Sequence, residues 1–375
     1  MVRHIFVSAL MIFSGLASAQ VNPEKLALEV VANGLERPWA LAFLDQDTML
    51  VTERAGKLRV VRRDGTVSEP ISGLPAIGTG GQGGLLDLIA DRDFSETRRI
   101  FFCFTSPDPR DGLKNSTALA SARLSEDLKR LFDVKLLCRQ TPTYEGGYHF
   151  GCRILATADG MLLLGLGDRF RLMDQAQDTG NYIGKVIRIS KNGEIPANNP
   201  LAGKSDAAPG IWSYGHRNIQ GATIDGKGNI WMVEHGPQGG DELNLIEPGA
   251  NYGWPVITYG ENYGGGPIGA GITAAPGIVQ PVTHWTPSIA PSGLAWLDTD
   301  LYGKNWRGSL MVGSLKFGNL VRLTVKDGKV TDQEILLKDF GDRIRDVRLG
   351  PDGLIYLLTD NSRGRLLRLK PARPS

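Results

Sequence analysis

The chain has 375 residues, with 42 basic and 40 acidic side chains for a formal charge of +2. Its basic residues are scattered rather than striped, which excludes a nucleic-acid or polyanion partner read through charge. Hydrophobic residues make up 41%, ordinary for a globular protein, while 48 glycines outside any low-complexity tract require many tight turns, the mark of an all-β chain.

At the N-terminus Arg3 and His4 precede the apolar run Ile5–Leu16 and then Ala17-Ser18-Ala19. This is the pattern of a secretory signal cleaved after Ala19. No later stretch approaches the roughly 18 apolar residues of a spanning helix. Residues 20–375 are therefore expected to form one exported domain, periplasmic or secreted, with no membrane span. The 3 cysteines allow at most one intramolecular disulfide. Cys103 (in IFFCF) and Cys138 (in VKLLCR) lie in strand-like runs that could be neighbours, and whether these two form a bridge stays open. No Cys-x-x-Cys-His exists, so a covalently attached c-type haem is excluded.

Next comes a strand over Leu26–Val31, followed by Trp39–Phe43, Met49–Thr52 and Leu58–Val61, with tight turns between them. This strand–turn–strand phrase recurs at Leu85–Ala90, Arg99–Phe104 and Ala118–Leu124, and at Arg153–Ala156, Met161–Gly165 and Lys185–Ile189. It returns at Gly221–Ile224, Ile230–Val233 and Glu242–Ile246, then at Gly293–Leu297, Ser309–Gly313 and Leu320–Val325. The last copy is Ile344–Arg348, Leu354–Thr359 and Leu366–Leu369. Six sheet-forming units of roughly 45–70 residues predict an all-β fold, a six-bladed β-propeller with four-stranded blades. Leu26–Val31 is expected to pair with the last blade and close the ring. Helical periodicity is scarce, and Glu126–Leu131 comes nearest to it.

In such a ring the long loops between repeats gather on one face around the axis, where the active site is expected. His149 (GGYHFG) reads either as a general base or as a structural histidine satisfied by a loop carbonyl. Asp168 ends the following strand, placed either to orient that imidazole or to cap a turn. Arg217-Asn218 sets a fixed cation beside an amide, while Lys316, Arg343 and Arg345 add cations at two further blades. On one face these would suit a polycarboxylate; singly, each is a solvated charge. Glu234-His-Gly-Pro-Gln-Gly-Gly-Asp-Glu242 reads as a hard-cation loop that suits calcium, or as a turn with solvated acids. Phosphate-cradling glycine motifs are absent.

Taken in order, GGQGGLLD, HFGCR, GKVIRI, IWSYGHRNIQG, EHGPQGGDE, NYGWP, PSIAPSG, SLK and RIRDV-x-x-GPDG resemble the soluble PQQ-dependent aldose sugar dehydrogenases, the glucose/sorbosone dehydrogenase family, from about Leu35 to Leu369. The resemblance implies a propeller that holds pyrroloquinoline quinone (PQQ) and Ca2+ on its top face and oxidises the C1 hydroxyl of an aldose to the lactone. In it His149 takes the hydroxyl proton while hydride passes to the quinone, Asp168 supports His149, and Gln82 lies beside the sugar. Arg217 joins the catalytic set by facing the quinone oxygens together with Asn218, and Lys316, Arg343 and Arg345 hold the quinone carboxylates. The Gly236 and Pro237 carbonyls bind the catalytic calcium, while Glu242 and the Tyr252 carbonyl bind a second, structural one. Neither His216 nor His235 is assigned a catalytic role. The implied partners are an aldose and an external electron acceptor; monomer and homodimer both stay open.

Three positions depart from the family pattern: Cys152 replaces a glycine, Ile219 a proline, and Tyr148 a smaller or more polar residue. A thiol at Cys152 would lie near the quinone, open to adduct formation. Two other readings compete, a calcium-dependent lactonase and a non-catalytic sugar-binding propeller. A small neutral lactone has no use for Arg217, Lys316, Arg343 and Arg345, and keeping His149 with Asp168 argues against a site without chemistry.

Overall fold

The structure is a computed structural model and describes residues 26–371; the expected signal peptide lies outside the described residues. Six antiparallel sheets stand around one axis. The first blade has three strands, Pro38–Phe43, Thr48–Glu53 and Lys57–Arg62. The second has Leu85–Ala90, Arg99–Asp108, Asp111–Leu124 and Leu131–Arg139, and the third Gly151–Ala156, Met161–Leu166, Lys185–Ser190 and Ile211–Tyr214. The fourth has Ile219–Ile224, Ile230–Glu234, Asp241–Ile246 and Thr283–Trp285. The fifth runs Pro291–Leu297, Ser309–Ser314, Leu320–Lys326 and Lys329–Leu336. The sixth joins Ile344–Leu349, Ile355–Thr359 and Gly364–Pro371 to Leu26–Leu35, the ring-closing strand, paired from Leu26 opposite Pro371 to Leu35 opposite Gly364 with register shifts at Val30/Ala32 and Ala32/Leu35.

The expected six blades are therefore present, five of them four-stranded. No helix among the described residues is long and apolar enough to cross a membrane. Glu126–Arg130 is a turn, and the helical turns fall instead at Phe94–Thr97 and Met173–Ala176.

Burial falls from the axis outward, which explains the strand compositions. Inner strands such as PWALAF and TMLVTE are buried along almost their whole length, because neighbouring blades cover both faces. Outermost strands such as KVTDQEIL are largely exposed and polar. The core is accordingly a set of layers between blades, for instance Trp231, Val233, Leu294, Val312 and Val321 between the fourth and fifth.

All six innermost strands carry a register shift near their N-terminal ends: Pro38/Ala40, Leu85/Leu88, Gly151/Arg153, Ile219/Gly221, Pro291/Leu294 and Ile344/Asp346. Each is a one-residue bulge, which bends the strand and re-aims a side chain. Trp39, Gln220 and Arg345, the extra residues of three bulges, consequently face the axial cleft.

Below the cleft the axis is filled by charge. Arg153 Nη1 meets Asp87 Oδ1 at 3.0 Å and Asp346 Oδ1 at 3.1 Å, while Arg348 meets the same carboxylates at 2.7 and 2.8 Å. The remaining carboxylate capacity takes backbone amides of neighbouring blades, Ile154 N–H to Asp87 Oδ2 and Leu41 N–H to Asp346 Oδ2. Burial alone would lower the Arg348 pKa, but Asp346 and Asp87 hold it above the ordinary guanidinium value. Removing one partner from such a network strands the others, so Asp346→Ala is expected to lower stability by about 3–5 kcal/mol in denaturant titration, against about 0.5 kcal/mol for an exposed control.

The disulfide is not the Cys103–Cys138 pairing that the sequence left open. Cys103 bonds to Cys152, Cα–Cα 5.7 Å, and Cys138 is free. Cys103 and Cys138 both pair with Leu119, from opposite sides of its strand. That separates them by two inter-strand spacings, roughly 10 Å, which is too far to bridge. Cys152 is thus a buried half-cystine, and the expected thiol beside the cofactor does not exist. Burial pushes the Cys138 thiol up to about 12, which keeps it a poor nucleophile. Alkylation of denatured, non-reduced protein should mark Cys138 alone, and reduction should open Cys103 and Cys152. Cys103→Ser should cost about 2–4 kcal/mol of stability.

Candidate active site

The base-bearing segment is built by close backbone approach. Gly167 lies against the His149 loop, where a Cβ would come within 2.0 Å of the His149 carbonyl oxygen. His149 itself has φ 48°, a left-handed conformation unfavourable for a non-glycine residue. It is held there by its N–H, donated to Gln82 Oε1 at 2.9 Å, and by its carbonyl, which accepts from Arg169 N–H at 3.3 Å. Gln82 is docked in turn, its N–H reaching the Gly147 carbonyl at 2.7 Å.

His149 is buried, with Nδ1 2.7 Å from Asp168 Oδ1. Asp168 also accepts from Phe170 N–H at 2.7 Å and Trp254 Nε1–H at 2.8 Å, so its orientation is over-determined. An ionised Asp168 fixes the neutral tautomer with its proton on Nδ1, leaving Nε2 as the acceptor. No hydrogen bond among the described residues engages Nε2. Burial lowers the His149 pKa; Asp168 opposes this, and Arg217 and Arg169 reinforce it. Sequence reasoning left His149 and Asp168 open between catalytic and structural roles; the structure joins them in one buried hydrogen-bonded pair.

Beside this pair a cleft of about 150 Å³ opens on the axis. Of the expected residues it is lined by Gln82, Asn218, Arg343 and Arg345. Asp360 Oδ2 accepts from Arg343 at 3.3 Å and Arg345 at 3.4 Å. Asn218 Oδ1 accepts from Gly151 N–H at 3.1 Å, which ties the fourth blade to the His149 loop. Arg217 donates to the His235 carbonyl at 3.0 Å and lies over the Trp254 ring at 5.2 Å. The Nε atoms of Arg217 and Arg345 are buried with no hydrogen-bond partner. Lys316 stands apart, exposed, in an adjoining groove with Pro237, Gln238 and Tyr263.

Sequence reasoning missed Arg54, Trp39 and Asp360 as lining residues, while His235, in the Glu234–Glu242 loop, lines the cleft too. A signal was present in the repeat. Arg54, His235, Leu315 and Asp360 each directly follow the second strand of a blade and all line the cleft, with Asp168 one residue further along in the third. His235 donates its Nε2–H to the Pro291 carbonyl at 2.7 Å; burial, aided by Arg217 and Arg345, lowers its pKa to about 3, so it is neutral.

The expected metal ligands occupy two places. Asp241 organises the first: its Oδ1 accepts from Gly236 N–H at 2.9 Å, and its Oδ2 from Ser288, Ile289 and Ala290. The Gly236 and Pro237 carbonyls accept no hydrogen bond from the described residues and remain available to a hard cation. The second place surrounds Glu242. Burial, with Glu234 adding to it, raises the Glu242 pKa to about 8, and Asn244 Nδ2 donates to it at 3.1 Å. Asn244 Oδ1 is orphaned and buried, and the Tyr252 carbonyl accepts from no described residue. Oxygen donors of this kind, with uncompensated charge, suit calcium. Calcium should therefore raise the midpoint of thermal unfolding, and Glu242→Gln should lose a large part of that rise; an equal rise in both proteins would remove Glu242 from the metal set.

Fold and site together define a six-bladed propeller enzyme with a buried histidine–aspartate pair beside a cation-lined axial cleft. The glucose/sorbosone dehydrogenase profile matches residues 35–368. The aldose sugar dehydrogenase YliI of Escherichia coli is 42% identical over 353 residues, spanning 93% of this chain and 94% of that one. The crystal structure of the soluble aldose sugar dehydrogenase from E. coli, in its apo form, superposes with a TM-score of 0.88 at 41% identity, covering 92% of this chain and 99% of that one. The PQQ-bound aldose sugar dehydrogenase of Streptomyces coelicolor superposes at 0.76 and 27% identity, covering 94% and 100%. The chain belongs to the glucose/sorbosone dehydrogenase family.

Proposed function

We propose that the protein oxidises the C1 hydroxyl of aldose sugars to the lactone, with His149 as general base. The observation that carries this reading is the buried His149–Asp168 pair, 2.7 Å apart, at the edge of a cleft lined by Arg343 and Arg345. The relatives named above, one of them PQQ-bound, support it. Pyrroloquinoline quinone, when bound, supplies the two-electron acceptor that takes hydride from C1. The chain's own part is binding, orientation and proton transfer. Arg217, Asn218, Arg343, Arg345 and, from the adjoining groove, Lys316 would hold the quinone and its carboxylates; the orphaned Nε atoms of Arg217 and Arg345 are donors in wait of such an acceptor. Calcium would sit on the Gly236 and Pro237 carbonyls.

His149 Nε2 takes the hydroxyl proton as the C1–H bond is lost and the C1–O double bond forms. Asp168 keeps the ring oriented and stabilises the imidazolium so produced. The cationic cleft supports this reading over a lactonase. Export to the periplasm or beyond is part of the proposal, on the N-terminal signal pattern and the buried disulfide.

Reconstituting the purified protein with calcium and pyrroloquinoline quinone should yield dye reduction with a panel of aldoses; absence of quinone binding would sink the reading. His149→Ala should keep quinone binding and lose two to four orders of magnitude in turnover. The base works when neutral, and its pKa is depressed, so the acid limb of kcat/KM against pH should have its midpoint below the ordinary histidine value of 6.5. Asp168 raises the His149 pKa, so Asp168→Asn should move that limb lower still while slowing turnover; a limb above 6.5 in the wild type contradicts this assignment.

A further inference from the structure

Arg169 follows the carboxylate that supports the base, and the proton-transfer reading gives its side chain no task. It is 2% exposed and makes no ion pair among the described residues; Asp168, next to it in sequence, pairs with His149 instead. Its Nη2 donates to Asn115 Oδ1 and to the Gly146 carbonyl, both at 2.7 Å, while Nε and Nη1 are buried without a partner. The guanidinium lies over the Phe150 ring at 3.9 Å, and the backbone N–H reaches the His149 carbonyl at 3.3 Å. Arg169 thus holds the loop three residues before the base, at the base, and one residue after it. Asn115 backs this grip: its Nδ2–H meets the same Gly146 carbonyl at 3.2 Å, and its backbone exchanges hydrogen bonds with Tyr144 at 3.0 and 2.9 Å. Arg169 at φ 58° and Phe170 at φ 67° are successive left-handed non-glycine residues, so the turn that aims the guanidinium is itself strained.

A clamp needs donors, not charge. A neutral amide could donate to Asn115 and Gly146, whereas a cation buried without a counter-ion costs free energy. Burial lowers the Arg169 pKa to about 10, against the pull of Asp168 and Tyr144, so the group stays charged near neutral pH. The charged and titratable groups facing His149 are Asp168 and Arg169 after the third blade's second strand, Arg217 at the entry to the fourth blade, and His235 after that blade's second strand. Asp168 alone among them favours the imidazolium; His235 is neutral and both arginines oppose it. We infer that Arg169 is a positioning residue for proton transfer: it clamps the His149 loop on both sides of the base, and its unpaired buried charge favours the neutral imidazole that accepts the substrate proton. The inference rests on the general-base reading above and adds the group that tunes the base. Arg217 would have its charge offset by a carboxylated ligand in the cleft. Arg169 is sealed within protein and keeps its effect with the site loaded.

The test titrates the His149 imidazole by NMR in histidine-labelled, quinone-free protein, assigned against His149→Gln, in the wild type, Arg169→Lys, Arg169→Gln and Arg169→Met. Removing the cation stabilises the imidazolium, so the midpoint should rise in Arg169→Gln and Arg169→Met. It should stay near the wild-type value in Arg169→Lys, which keeps the charge. In the reconstituted enzyme the acid limb of kcat/KM should move the same way, upward in the two neutral variants only. Above that limb Arg169→Lys, which lacks the planar fork, should lose about ten-fold in kcat with the KM for sugar unchanged, as for a misplaced base. Asn115→Ala should lose less, with its limb unmoved. A midpoint unmoved in the neutral variants overturns the proposal, since a merely structural Arg169 would change thermal stability without moving the titration. So does an Arg169→Lys midpoint as high as that of Arg169→Gln, or a wild-type midpoint at or above the ordinary 6.5. Either neutral variant decides the point if the other fails to fold. A protein that oxidises no aldose defeats the dehydrogenase reading, and the titration, which needs no turnover, still decides what the charge of Arg169 does.

Discussion

The ion network of Asp87, Arg153, Asp346 and Arg348 is the constraint on which the rest of the molecule depends. It joins the inner strands of the second, third and sixth blades directly, and its carboxylates take a backbone amide from the first and third. Arg153 extends it to the fourth through the Gln220 carbonyl at 2.7 Å. Two cations and two carboxylates balance, so the network can lie out of water without a counter-ion. A buried network of this kind contributes little net stability over apolar packing. Its physical effect is to fix which strands meet at the axis, and so the floor of the cleft. Arg153 stacks on Trp39 at 4.4 Å, and the opposite side of that contact leads to Arg345, 5.7 Å from the same ring.

Above the floor the balance ends. Arg343 and Arg345 share Asp360 in the cleft, which Arg54 also lines, with Arg217 adjacent. The excess positive charge acts on the site's own histidines. Arg217 adds to burial in lowering the pKa of both His149 and His235. Charge that would suit a carboxylated ligand therefore also favours the neutral form of the buried His149 imidazole. In the proposed proton transfer Asp168 is needed against that background: without a carboxylate at Nδ1, the imidazolium would face only like charge.

How much of this was legible depends on the range of the interaction involved. The six repeats were readable because each is a series of hairpins, set by residues a few positions apart, and the ring-closing strand followed from its surplus. His149, Asp168 and Arg217-Asn218 were findable as residue types at strand ends. The disulfide was not, because its pairing turns on which strand of the second blade faces the third. Cys103 and Cys138 look equivalent along the chain, yet they flank Leu119. The axial network was hidden for a similar reason: Asp87 and Arg348 are 261 residues apart, and each reads locally as one polar residue in a strand. Arg54 and Asp360 were within reach, since aligning the blades by the end of their second strands points to both.

The three departures from the family pattern acquire partners in this structure, and all adjoin one loop. Cys152 is the bulge residue of the third blade at φ 75°, a conformation that glycine adopts without strain. Here the side chain that glycine lacks is bonded to Cys103, so a covalent link to the second blade replaces backbone freedom three residues from His149. Ile219 is fully buried, and Gly165 makes its room, since a Cβ there would lie 2.8 Å from the Ile219 side chain. Ile219 follows Asn218, whose side chain accepts from Gly151 in the same loop. Tyr148 precedes the base and stacks with Phe170. A left-handed His149 is held only if its surroundings leave it no alternative. In this chain that restraint comes from a disulfide behind the loop, packing beneath it and aromatic stacking at its mouth.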